Sequence, residues 1–126
     1  MNGASIVVRA NFDREPAGRG EAANFNPRGR IPRVASMLAL AHHVERKIRD
    51  GEFRDYAHAA EVLGMTRARI SQISSLTLLT PSIQEAILDL PLVTNGRDTV
   101  TERQLRLLVA EPYWQKQLAM WRQIHE

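Results

Sequence analysis

The sequence predicts an all-α fold: a helix-turn-helix within a bundle of about six helices, preceded by a flexible basic N-terminal arm. Three observations predict it. From Val34 onward, apolar residues recur at three- and four-residue steps in one segment after another. The segments begin at helix-starting residues (Asp55, Thr66, Thr80-Pro81, Thr101) and end at helix-stopping ones (Gly51, Gly64, Pro91). Only residues 5–12 (SIVVRANF) read as a short strand.

Residues 1–31 form the expected arm, rich in Gly, Pro, Asn, Arg and Glu and without helical periodicity beyond that strand. Residues 32–126 form the helical domain. Its first helix starts after Pro32, carries Val34, Met37, Leu38, Ala41, Val44 and Ile48 on one face, and stops at Gly51. Asp55 caps a helix over Tyr56–Leu63, and Thr66 caps the next, from Arg67 to about Leu78. Thr80-Pro81 opens a fourth helix that buries Ile83, Ala86, Ile87 and Leu90 before Pro91 stops it. A turn at Asn95-Gly96 leads to a capping box, Thr101 with Gln104, and to a fifth helix with the stripe Leu105, Leu108 and Val109. Pro112 begins a sixth, where Tyr113 or Trp114, Leu118, Trp121 and Ile124 stand at helical spacing. These aromatics are expected in the core, with a dimer interface as the alternative.

Composition narrows the function. A chain of 126 residues suits one domain, and its 44% hydrophobic and 25% charged residues are those of a globular protein. No apolar run reaches the ~18–20 residues that span a bilayer, and no signal-peptide pattern opens the chain, so a cytoplasmic protein with no membrane partner is expected. With no cysteine, disulfides, thiolate catalysis and the common zinc modules are excluded. Six arginines against three acidic residues put the whole net charge of +3 into residues 1–33, while eleven basic and eleven acidic residues balance in 34–126. No paired carboxylates, Gly-rich phosphate loop or H-E-x-x-H motif is present, and Ser71, Ser74 and Ser75 have no evident base. His42, His43 and His58 lack metal-ligand spacing. The expectation is therefore no enzyme, no cofactor and no metal.

The functional signal lies in residues 56–75 (YAHAAEVLGMTRARISQISS). A small residue at the fifth place (Ala60) permits close helix crossing, glycine at the ninth (Gly64) permits the corner, and Ile70 and Ile73 fall at the fifteenth and eighteenth. With Leu63, Met65, Ile70 and Ile73 turned inward, Arg67, Ala68, Arg69, Ser71, Gln72 and Ser75 face outward. This is the spacing of a helix-turn-helix that sets its second helix in a DNA major groove. Thr66 is then placed for a phosphate, where the helix dipole favours an anion. Arg67, Arg69 and Gln72 are the base readers by length and chemistry, since arginine pairs with guanine and glutamine with adenine, and Ala68 suits a thymine methyl. The division of labour between the two arginines stays open. Arg54, just ahead of the motif, is a further backbone contact, although mixed charges around it also fit a solvated face.

In the arm, Pro27-Arg28-Gly29-Arg30-Ile31-Pro32-Arg33 resembles an AT-hook, whose arginines lie in narrow minor grooves, except that isoleucine separates Arg30 from Pro32. Arg28, Arg30 and Arg33 are the residues concerned. A solvated tail is the alternative.

The stretch GMTRARISQISSLTLLTPSIQEAILDLP, Gly64 to Pro91, resembles the central DNA-binding domain of the ParB/KorB partition and plasmid-control family. The matching residues are Gly64, Thr66, Arg67, Ile70, Leu76, Leu78, Pro81, Ile83 and Gln84, and TERQLRLL (Thr101 to Leu108) is similar to a later helix of that domain. The resemblance implies site-specific binding of double-stranded DNA. It does not extend to the family's nucleotide-binding box, which has no counterpart in residues 1–43, or to a dimerisation domain after residue 126, so CTP hydrolysis, clamping and spreading are not implied. The layout is also similar to small ParB-like proteins encoded beside site-specific recombinases, which implies an accessory or regulatory role in a mobile element, with a recombinase as a second partner. One helix reads few base pairs, so a homodimer on DNA is expected, with the last helix as its interface. The alternative function is a protein-binding adaptor on a helix-turn-helix scaffold.

Overall fold

The computed structural model describes residues 29–125, so the strand expected at 5–12, Arg28 and the rest of the arm up to it lie outside the described residues. Six α-helices follow in order: α1 (Arg33–Arg49), α2 (Tyr56–Leu63), α3 (Arg67–Ser74), α4 (Pro81–Leu88), α5 (Glu102–Val109) and α6 (Trp114–His125), with a 3₁₀ turn over Ser75–Leu78 between α3 and α4. The described residues are all-α, and their one β-bridge is the isolated antiparallel pair Arg30 and Val93.

The starts of α2 to α5 are set by the caps legible in the chain. Asp55 accepts the His58 N–H, Thr66 that of Arg69, Thr80 that of Ile83, and Thr101 completes a reciprocal capping box with Gln104. Such a side-chain acceptor is worth about 1 kcal/mol, which matters for helices of eight residues that are too short to stand alone in water. Gly64 ends α2 with φ 71°, the left-handed conformation in which a residue with a Cβ is strained.

α1 is the spine. It packs across α3, the 3₁₀ turn and α4, while α2 lies on α3, and α5 joins the 3₁₀ turn to α6. Its buried residues Val34, Met37, Leu38, Leu40, Ala41 and Val44 line the core. Ile70 and Ile73 of α3 and Ile83 and Ile87 of α4 meet them there, each fully buried and each contributing ~1.5–3 kcal/mol of transfer free energy. Phe53 and Val100 pin the loops before α2 and α5.

Three expectations are corrected. The third helix stops at Ser74 and tightens into the 3₁₀ turn; Gln84 holds that turn from α4, donating its amide to the carbonyls of Thr77 (3.2 Å) and Leu79 (2.7 Å) while its Oε1 contacts His42 Nε2 at 2.6 Å. The sixth helix starts at Trp114 and buries Gln117 and Trp121, leaving Tyr113 (65%) and Trp114 (56%) exposed rather than in the core. Residues 29–31, expected in the arm, are fastened to the domain. Arg30 and Val93 exchange backbone hydrogen bonds of 2.9 and 2.7 Å, and the Arg30 guanidinium lies 2.5 Å from Asp98, which also accepts the Arg33 N–H at 2.8 Å.

Candidate nucleic-acid interface

α3 is turned so that Ile70, Ile73 and Ser74 are buried and Thr66, Arg67, Ala68, Ser71 and Gln72 are exposed. Positions 67, 68, 71 and 72 form one helical face by the four-residue repeat. Between its two long polar side chains stand only a methyl and a hydroxymethyl group. Such a face permits another surface to approach the helix backbone closely, and it offers donors and an acceptor there. The burial of Leu63 and Ala60 and the partial burial of Met65 fix this orientation from the side of α2.

The outward residues are not equivalent. Arg67 is exposed and no acidic residue pairs with it among the described residues. Arg69 is half-buried and committed: its guanidinium grips the carboxylate of Glu102 on α5 with both terminal nitrogens, Nη2 donating at 3.2 Å, while Nη1 also donates to Gln72 Oε1 at 3.2 Å. The Arg69 guanidinium, more than offsetting partial burial, holds the Glu102 carboxyl below the usual carboxylate range, with Arg106 and Arg33 adding to the effect. Glu102 sits in the first turn of α5, where the helix dipole also favours negative charge. Arg67 and Arg69, expected to act alike, thus differ in their partners: Arg69 is paired with a residue of α5 that lies 33 positions away in the chain, which no local pattern reveals.

The remaining site residues are distributed around this face. The Thr66 hydroxyl oxygen already accepts the Arg69 N–H at 3.0 Å, so its capping duty is taken and its own proton is what it has left to give. Ser75 turns back on its helix, its hydroxyl donating to the Gln72 carbonyl at 2.6 Å, and is only half-exposed. Arg54 is exposed in the loop before α2; its N–H donates to His58 Nδ1 at 3.1 Å, and the His58 ring meets Phe53 edge-on. Arg33 starts α1, exposed, and lies close enough to Glu102 to act on its charge. Arg30 belongs to the Asp98 node instead of a free arm, and Arg28 lies outside the described residues. Two carboxylates thus anchor the basic residues around this face: Asp98 holds the Arg30 guanidinium and the Arg33 backbone N–H, and Glu102 holds Arg69, which in turn reaches Gln72. Sequence reasoning missed both carboxylates. Glu102 carried one signal, its place behind the Thr101 cap, and Asp98 carried none.

Among the described residues, no three His, Cys, Asp or Glu side chains come together as a metal site, and no helix is long and apolar enough to cross a membrane. No family model, curated protein or solved structure matches the chain.

Proposed function

We propose that the protein binds double-stranded DNA in a sequence-specific manner, with α3 in the major groove. The observation that carries this reading is the exposed face Arg67, Ala68, Ser71 and Gln72, braced from behind by Ile70 and Ile73. Arg67 is the principal base reader: it is charged, exposed, and free to present its fork to guanine O6 and N7. Gln72 reads the neighbouring base pair, and Ala68 and Ser71 admit the groove wall. Thr66 and Arg54 approach the phosphates, where arginine and helix N-termini bind without sequence preference. The Gly64–Pro91 resemblance to ParB/KorB domains supports the same reading and suggests an accessory or regulatory role in recombination or local transcription, beside a recombinase.

A homodimer on DNA fits this function, because two recognition helices one helical turn apart supply the affinity and the reading length that one lacks. The exposed Tyr113 and Trp114 at the start of α6 give a second copy an aromatic surface to bury.

Selection from a random duplex pool is the test. A defined site, symmetric about its centre, should emerge, with binding that weakens steeply between about 50 and 200 mM salt. Arg67→Ala should lower affinity for that site about 10- to 100-fold, the value of one good arginine–guanine pair, without shifting the melting temperature. Undiminished binding by Arg67→Ala would overturn groove insertion, and failure to bind any duplex would leave the adaptor reading.

A further inference from the structure

We propose that Glu102, on α5 and outside the recognition helix, sharpens sequence preference at the base pair that Gln72 reads, by holding Arg69 away from phosphates and through it fixing the Gln72 amide. The inference rests on the DNA-binding reading of α3. It concerns how that face discriminates, which the identity of its exposed residues leaves undecided.

Both terminal nitrogens of Arg69 are directed at one carboxylate, an arrangement that matches the planar fork of guanidinium and restrains its rotation as a point-charge pair does not. Glu102 is itself restrained. The Thr101–Gln104 capping box fixes where α5 begins, and the carboxylate lies mostly shielded from solvent with its side chain 19% exposed. The restraint passes outward, because Arg69 Nη1 also donates to Gln72 Oε1 at 3.2 Å. An unrestrained glutamine amide turns about its last torsion and offers either its donor or its acceptor to a base edge, so it discriminates weakly. With Oε1 drawn towards Arg69, the Gln72 amide presents its N–H₂ group to the groove and favours a base whose edge offers acceptors. The chain Glu102, Arg69, Gln72 thus converts a mobile reader into an oriented one.

A second effect follows from charge. An arginine at the edge of a DNA-binding helix ordinarily adds a phosphate contact and displaces a counterion, raising affinity for every sequence alike. Paired with Glu102, Arg69 is electrically neutralised and adds none. Glu102 therefore lowers affinity for random duplex, and the separation between specific and non-specific binding widens from both ends. Glu102 acts as a positioning residue; it needs no contact with DNA.

The test measures affinity for the selected site and for random duplex across a salt series, in the wild-type chain, Glu102→Gln, Glu102→Asp, Arg69→Ala and the double variant Glu102→Gln/Arg69→Ala. In Glu102→Gln the freed Arg69 should steepen the dependence of log K on log salt by about 0.9 for random duplex. Discrimination at the base pair read by Gln72 should fall about tenfold. Arg69→Ala alone, which leaves the Glu102 carboxylate unpaired, should not steepen the salt slope, and in the Glu102→Gln background it should restore the wild-type slope. Glu102→Asp, which keeps the carboxylate, should hold the wild-type slope. A merely structural role for the ion pair would move the melting temperature and neither slope nor discrimination. If the wild type selects a site but Glu102→Gln shows its slope and its discrimination, the inference fails while DNA binding stands; a wild type that selects no site overturns both.

Discussion

The side-chain oxygen of Gln117 accepts the backbone N–H of Thr80 at 2.8 Å, and the same side chain donates its amide to the Leu108 carbonyl at 3.0 Å. One buried glutamine of α6 thereby satisfies the start of α4 and the end of α5, both without access to water at that point. Gln117→Leu keeps most of the volume and orphans the Thr80 N–H, at ~1–3 kcal/mol for a buried group left unpaired, while the Leu108 carbonyl keeps the Glu111 N–H at 2.9 Å. The expected loss is about 2 kcal/mol, a fall of about 10 °C in melting temperature, read by circular dichroism.

Tyr56 ties α2 to α1 through its hydroxyl, which donates to the Glu45 carboxylate. That hydrogen bond, helped by partial burial, raises the phenol above its ordinary range. A raised phenol stabilises the fold fully below the unfolded value of about 10, and the contribution is lost as pH climbs through the folded value. Tyr56→Phe should therefore cost about 1–2 kcal/mol at neutral pH by urea titration. The difference from wild type should shrink above about pH 10.

Two glycines with positive φ predict unlike outcomes on substitution by alanine. A Cβ on Gly64 meets nothing within 4 Å, so Gly64→Ala should cost only the left-handed strain, about 1–2 kcal/mol. A Cβ on Gly29, at φ 111°, lands 2.7 Å from the Val93 carbonyl oxygen, which is backbone and cannot turn aside. Gly29→Ala should break the Arg30–Val93 pair, and hydrogen exchange at both amides should quicken while the α2 and α3 amides keep their protection.

Acid should act in two steps. His43 is depressed below the usual histidine value, first by burial and then by Lys47 and Arg46, with Glu52 opposing. Its share of stability is complete above the unfolded value of about 6.5 and is lost as pH falls from there through the folded value. Glu102 follows lower, between the ordinary glutamate value of about 4.3 and its depressed folded value, since Arg69 favours its charged form. Replacing His43 by glutamine should flatten the first step and leave the second, as followed by denaturation midpoints from about pH 8 to pH 3.

What the sequence discloses and what it hides divide by distance along the chain. Each cap at Asp55, Thr66, Thr80 and Thr101 is a contact between residues three apart, which local chemistry decides. The inward face of α3 was readable for the same reason, because Ile70 and Ile73 lie one turn apart. Arg69 with Glu102, Arg30 with Asp98 and Thr80 with Gln117 are set by how whole helices dock, and each side chain would look equally plausible in solvent. The last helix was legible in part. Leu118, Trp121 and Ile124 pack on the core as their spacing suggested, but Tyr113 and Trp114 stand exposed, and the polar Gln117 takes the inward place one turn before Trp121.

The Arg30–Val93 pair and the Asp98 node also moor the backbone just ahead of α1. Residues 1–28 are joined to the domain at that point. On the proposed function, any encounter between a bound duplex and Arg9, Arg14, Arg19 or Arg28 is an event within one complex and not between two molecules. Four arginines that would be negligible as a separate peptide would then gain influence from covalent attachment alone.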